Sequence, residues 1–184
     1  MRNEAEGPAE ALEPKGAGDD PGVRPLTRMA GGRSPGRGSK GALLLGLTLL
    51  LALSACALPR WPTTAEMTSP FGIRWDGVIP SVHRGVDMSV PTGTPIRSML
   101  PGQVRFAGEM RGYGKVVWLE HRRGVLTVYA HLSEIQVRTG QEVGHQQVIG
   151  LSGATGRVTA PHLHFEVWVA GRAVDPVGFL GGRP

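Results

Sequence analysis

His162-Leu163-His164-Phe165-Glu166-Val167-Trp168-Val169 alternates with period two. An extended chain sends successive side chains to opposite faces. His162, His164 and Glu166 therefore share one face, and Leu163, Phe165 and Val167 share the other. One face can bury while the other holds a row of groups able to ligate a metal or carry protons.

The chain around this stretch has the same texture. Val116–Glu120 and Val125–His131 are short apolar runs rich in Val, Trp and Tyr, bounded by the turn sequences Gly112-Tyr113-Gly114, Arg122-Arg123-Gly124 and Ala170-Gly171-Arg172. Gln103–Ala107 and Gln147–Leu151 read as further strands. No window carries a sustained i, i+3, i+4, i+7 apolar stripe. The expectation is an all-β domain over residues 67–180, built of short strands in a compact sandwich or barrel, with residues 57–66 (ALPRWPTTAE) as a Pro/Thr tether.

The N-terminal third has a different composition. Residues before Gly41 are rich in Gly, Pro, Ala and charge, with almost no β-branched or aromatic side chains. Such a stretch buries too little apolar area to offset its ordering entropy and is expected to be disordered. Gly41–Leu53 (GALLLGLTLLLAL) is thirteen nearly unbroken apolar residues behind Arg33, Arg37 and Lys40, the layout of a secretory signal. As a helix it spans roughly 20 Å, short of the ~30 Å hydrocarbon core. Leu53-Ser54-Ala55-Cys56 follows directly and resembles the lipobox of bacterial lipoproteins, whose cysteine is acylated and becomes the first mature residue. Residues 29–55 read as the signal peptide. Met29 is the expected start, and 1–28 an upstream mis-annotation.

Cys56 is the only cysteine, so neither an intramolecular disulfide nor a four-sulfur zinc site is available. From Ala57 onward 13 basic and 9 acidic residues leave a net charge of +4. That suits an anionic surface such as a cell envelope. No basic helix, interleaved aromatics or recognition motif points to nucleic acid, and no nucleic-acid partner is expected.

Three short contexts carry the chemistry. In His83-Arg84-Gly85-Val86-Asp87 an imidazole and a carboxylate lie four residues apart, on one face if the segment is extended, with Gly85 leaving space between them. His131 closes Tyr129-Ala130-His131-Leu132 at a strand end. His162 and His164 stand on the alternating strand. Two imidazoles and a carboxylate suit Zn²⁺ with a fourth position open. Further histidines beside such a site can move protons near neutral pH. There is no Gly-x-Ser-x-Gly elbow and no His-Glu-x-x-His helix. His121 and His145 match no pattern and are expected to be ordinary exposed residues.

Together these motifs resemble those of the lysostaphin/LytM-type peptidoglycan endopeptidases, from about Ser69 to Leu180. Ser69-Pro70-Phe71-Gly72-Ile73-Arg74 resembles the family's entry segment. Pro91-Thr92-Gly93-Thr94-Pro95 resembles its turn after the aspartate, and Gly150–Gly156 its run before the final histidines. Ala160 departs from the glycine more usual before Pro161-His162.

The resemblance implies a small antiparallel β-sandwich or barrel with one zinc per chain in a groove walled by loops. It makes His83, Asp87 and His164 the metal ligands and His131 and His162 the catalytic pair, without deciding which of the two is the general base. Glu166 points toward the ligands and suits either support of the site or a core ion pair. The implied activity is hydrolysis of peptide bonds in peptidoglycan cross-links by a lipid-anchored enzyme. A non-catalytic relative that activates cell-wall amidases is the alternative. Ala57 is not the aspartate of inner-membrane retention, so in a two-membrane cell the periplasmic face of the outer membrane is expected.

Overall fold

A computed structural model describes residues 57–76 and 78–184. The expected signal peptide, the lipobox with Cys56 and the Met29 start lie outside these residues. Among the described residues twelve strands, a 3₁₀ turn at Arg122–Gly124 between β7 and β8, and one short α-helix follow in order: β1 Met67–Ser69, β2 Gly72–Asp76, β3 Ile79–His83, β4 Val86–Met88, β5 Pro95–Arg97, β6 Gly102–Met110, β7 Gly114–His121, β8 Val125–Ile135, β9 Glu142–Val143, β10 Val148–Ser152, β11 Leu163–Val169, β12 Arg172–Val174 and α1 Pro176–Leu180. Every strand pair is antiparallel, as the all-β reading expects. Ten strands form one sheet whose main path runs β1-β4-β11-β8-β7-β6-β9, while β2 and β3 form a separate hairpin.

The alternation read in His162–Val169 is the alternation of β11. Leu163, Phe165 and Val167 are fully buried in the main core with Tyr129, Val117 and Leu119. The opposite face carries His164, Glu166 and Trp168, with a smaller apolar cluster of Tyr113, Val116, Trp118, Leu126, Val128 and Ala130 beside them. The five strands expected from composition all form. Those the reading passed over (β1–β5, β9 and β12) run two to five residues, too short for a periodicity to register.

Residues 57–66, expected as a tether, are bound to the domain from Arg60 onward. The Arg60 N–H donates to Met99 O at 3.2 Å, and the Arg97 N–H donates to Pro62 O at 3.0 Å. Trp61 packs on Phe165 with ring centroids 6.1 Å apart, and its Nε1–H donates to Gly182 O at 3.0 Å.

His121 is not exposed; it is 5% accessible at the end of β7. Its Nδ1–H donates to Pro101 O at 2.9 Å, leaving Nε2 to accept from the Thr127 hydroxyl at 2.7 Å. Both nitrogens are satisfied, which makes the burial tolerable. Gly102 makes room for the ring, since a Cβ there would fall 2.7 Å from His121 Nδ1. These partners lie on or just before other strands, which is why the sequence reading missed them. His145 is likewise half-buried rather than exposed.

Burial pushes the His121 imidazole below its ordinary value of 6.5, so the folded chain keeps it neutral. The unfolded chain binds a proton below about 6.5, so this contribution to stability is complete above that pH. It is lost as pH falls through the lower folded value. Urea unfolding at pH 7.5 and pH 5 is expected to show wild type losing more stability on acidification than His121→Gln. An equal loss in both removes His121 as the cause.

Candidate metal and hydrolytic site

His83 ends β3, Asp87 sits in the middle of β4, and His164 lies on β11. The register pairs His164 directly with Asp87, which places their side chains together on one sheet face. His83 reaches the same point by another route. The expectation of one extended segment from His83 to Asp87 does not hold, because the chain leaves the hairpin at Arg84-Gly85 before entering β4. Gly85 lies flat against β11, where a Cβ would fall 2.3 Å from Phe165 O. No other residue fits there without moving the strand.

Asp87 Oδ1 is 3.1 Å from His83 Nε2 and 2.8 Å from His164 Nδ1, and the two nitrogens are 3.1 Å apart. The three ligand atoms lie within 4.8 Å of one another. Donors around one tetrahedral zinc at bond lengths of 2.0–2.2 Å stand about 3.4 Å apart, so the set fits that ion in number, type and spacing.

The far side of each ligand is held. His83 Nδ1 lies 2.7 Å from Pro70 O. Arg74, on the inward face of β2, donates to Asp87 Oδ2 at 2.7 Å and also contacts His83. Its neighbours Ile73 and Trp75 face outward and are exposed. His164 Nε2–H donates to Glu166 Oε1 at 2.9 Å, an anchor that keeps the Nδ1 edge turned toward Asp87. Glu166 is 1% exposed. It also accepts from the Tyr113 hydroxyl at 2.9 Å and from Trp168 Nε1–H at 2.6 Å. Arg74 answers the Asp87 carboxylate, and a divalent ion would supply further positive charge against the two carboxylates that flank His164.

The electrostatics follow from these contacts. Burial opposes ionisation of Asp87, but hydrogen bonds from His164 and His83 hold it well below the carboxylate range. Burial lowers His164, yet the bonds to Asp87 and Glu166 outweigh it and raise it to about 9. Burial, then the Glu166 charge, pushes the Tyr113 hydroxyl up.

His131 and His162 lie next to the cluster, their rings 4.7 Å apart by centroid. Strict alternation along β8 would put His131 on the core face with Tyr129. Instead the register between β7 and β8 shifts between Lys115/Leu132 and Val117/Tyr129, and His131 takes φ of +62°. A bulge of this kind re-aims a side chain, here toward His164, 5.9 Å away by ring centroid. A non-glycine residue held in the left-handed region is uncommon and concentrates at functional sites. Its backbone N–H is held by Tyr113 O at 2.9 Å and its Nδ1–H by Thr155 O at 2.9 Å. Burial brings His131 down to about 4, partly offset by the Thr155 bond. His162 Nδ1–H donates to Ala160 O at 2.9 Å, and its Nε2 lies 3.8 Å from Asp87 Oδ1. Both histidines thus turn Nε2 away from their carbonyl anchors. Ala160 is exposed.

All five expected residues converge. The sequence reading missed the roles of Arg74, Tyr113, Thr155 and Trp168. Arg74 lies inside the recognised entry segment and Trp168 continues the period of His164 and Glu166, but Tyr113 and Thr155 carry no signal of their own.

An antiparallel β domain with a two-histidine, one-carboxylate cluster and two flanking histidines is the arrangement of a candidate metal centre. The model of peptidase family M23 matches residues 81–176, and the chain belongs to that family. It is 45% identical over 93 residues to the peptidoglycan DD-endopeptidase ShyA of Vibrio cholerae, covering 50% of this chain and 22% of that protein. The chain spans about a quarter of the length of curated relatives of this kind. Among solved structures, a zinc-containing peptidase from Vibrio cholerae superposes with a TM-score of 0.62 at 40% identity, over 65% of this chain and 39% of that one. The catalytic domain of lysostaphin from Staphylococcus simulans superposes with a TM-score of 0.59 at 34% identity, over 64% and 93%. The expected lysostaphin-type kinship and fold are thereby borne out.

Proposed function

We propose that this protein is a zinc endopeptidase that hydrolyses peptide bonds in peptidoglycan cross-links. The observation that carries the reading is the convergence of His83, Asp87 and His164 on one point with His131 and His162 beside it. His83 Nε2, Asp87 Oδ1 and His164 Nδ1 hold one zinc per chain. The ion supplies Lewis-acid chemistry there, polarising an amide carbonyl and acidifying water.

The chain's own residues do the rest. Glu166 and Pro70 orient the two ligand imidazoles, and Arg74 orients the carboxylate. His131, kept neutral by burial, offers Nε2 to take a proton from water as it attacks the carbonyl carbon. The protonated imidazole then donates to the leaving amine. His162 offers a second Nε2 on the same side, and once protonated it donates to the developing oxyanion. Either histidine can take the first role.

The test is zinc content measured together with release of soluble peptides from purified peptidoglycan. One zinc per chain with peptide release supports the enzyme, and mass spectrometry of the fragments names the bond. One zinc without release from any peptidoglycan favours the regulatory alternative, a binder that activates a cell-wall amidase.

Cys56 is the proposed acylation site that anchors the domain in the cell envelope, at the periplasmic face of the outer membrane in a two-membrane cell. Two or three acyl chains give stable anchoring where one is marginal. Cys56→Ser is expected to move the protein from the membrane to the soluble fraction and to abolish the acyl mass on its N-terminal peptide. Unchanged membrane fractionation sinks the lipoprotein reading.

A further inference from the structure

Beside the loops that anchor His131 the surface opens into a cleft of about 360 Å³, walled by the β6–β7 turn over 109–112, by 114–115 and by Thr155-Gly156. Its walls also hold the histidine. Tyr113 O, within the same turn, accepts from the His131 N–H, and Thr155 O accepts from Nδ1–H. The two loops are in backbone contact. A Cβ at Gly114 would fall 2.4 Å from Thr155, and one at Gly156 would fall 2.4 Å from Gly114 N. The cleft is therefore fixed relative to the imidazole.

The charge of the walls favours an anion. Arg111 and Lys115 face one acid, Glu109. Among the described residues Arg111 enters no salt bridge, and it stands exposed at the turn. Lys115 Nζ donates once, to Ser133 O at 2.9 Å, which leaves two ammonium donors. Arg157, another exposed cation, is tied to the same loop through its N–H to Gly112 O at 2.9 Å. A guanidinium presents a planar fork that matches a carboxylate.

We propose that this cleft is the substrate subsite adjoining His131, and that Arg111, with Lys115 adding positive charge, binds a carboxylate carried by the peptide substrate. The proposal rests on the peptidase reading. It adds that reading's missing specificity term, a preference for cross-link peptides with a free carboxylate over the same peptides amidated. Lys115 stands opposite Glu109 on the hairpin, which offsets part of its charge, so Arg111 is the cation of the cleft wall that discriminates.

The experiment uses the zinc-loaded protein and an uncleavable cross-link mimic, its scissile amide reduced to a methylene-amine. One version carries free carboxylates, and in the other they are carboxamides. Calorimetry is expected to show the acid binding at least tenfold tighter than the amide. Arg111→Gln removes that preference by weakening the acid alone, and Arg111→Glu reverses it. Equal affinities in wild type, or an equal loss for both mimics in Arg111→Gln, overturn the subsite while leaving the peptidase reading standing. Binding of neither mimic, by a protein that also releases no peptide from peptidoglycan, overturns both.

Discussion

His131→Ala is expected to retain one zinc per chain and to lower peptide release by about 10²–10⁴-fold, the span general acid–base groups contribute. The two halves of that result have separate causes. Zinc is kept because His131 belongs to none of the three convergent ligand atoms, which come from His83, Asp87 and His164. On the proposed mechanism activity falls because one of the two Nε2 atoms able to move the proton is gone. The position itself needs care, since φ of +62° suits alanine less well than asparagine. His131→Asn therefore serves as the second variant, keeping a local hydrogen-bonding side chain without a base. Zinc measured by mass spectrometry and peptide release measured side by side decide the matter. Full activity in His131→Asn excludes His131 from the chemistry, and loss of zinc in both variants makes it part of the metal site instead.

Glu166→Gln is expected to weaken zinc binding by about 10–100-fold, the usual effect of removing a group that orients a metal-binding histidine. The side chain is nearly isosteric, so packing changes little. What changes is that Glu166 accepts from three donors, the Tyr113 hydroxyl, His164 Nε2–H and Trp168 Nε1–H. An amide presents N–H groups of its own toward at least one of them, leaving a buried donor unsatisfied at a cost of about 1–3 kcal/mol. The loss falls on affinity and stability together, so competition with a chromophoric chelator and urea unfolding form the paired measurement. Wild-type zinc affinity in Glu166→Gln, with or without loss of stability, reduces Glu166 to a core polar group.

The period-two run His162–Val169 by itself determined the central strand, which face of it meets the core, and that His164 and Glu166 stand together. This works because side-chain alternation is a local property of an extended backbone. The metal-ligating residue types were legible for a similar reason: imidazole and carboxylate in close spacing have few other uses in so small a set of motifs. Tertiary structure decided the rest. His83 and Asp87 meet through a break in the chain at Gly85 and a register that sets Asp87 against His164, neither of which spacing along the sequence encodes. His131 turns toward the site only because β8 bulges against β7, reversing the face its strand position implies. His121 is buried because Pro101, Gly102 and Thr127, none of them its chain neighbour, satisfy and accommodate its ring. Such contacts depend on which strands pair and in what register, and pairing partners tens of residues apart leave no mark on the local pattern.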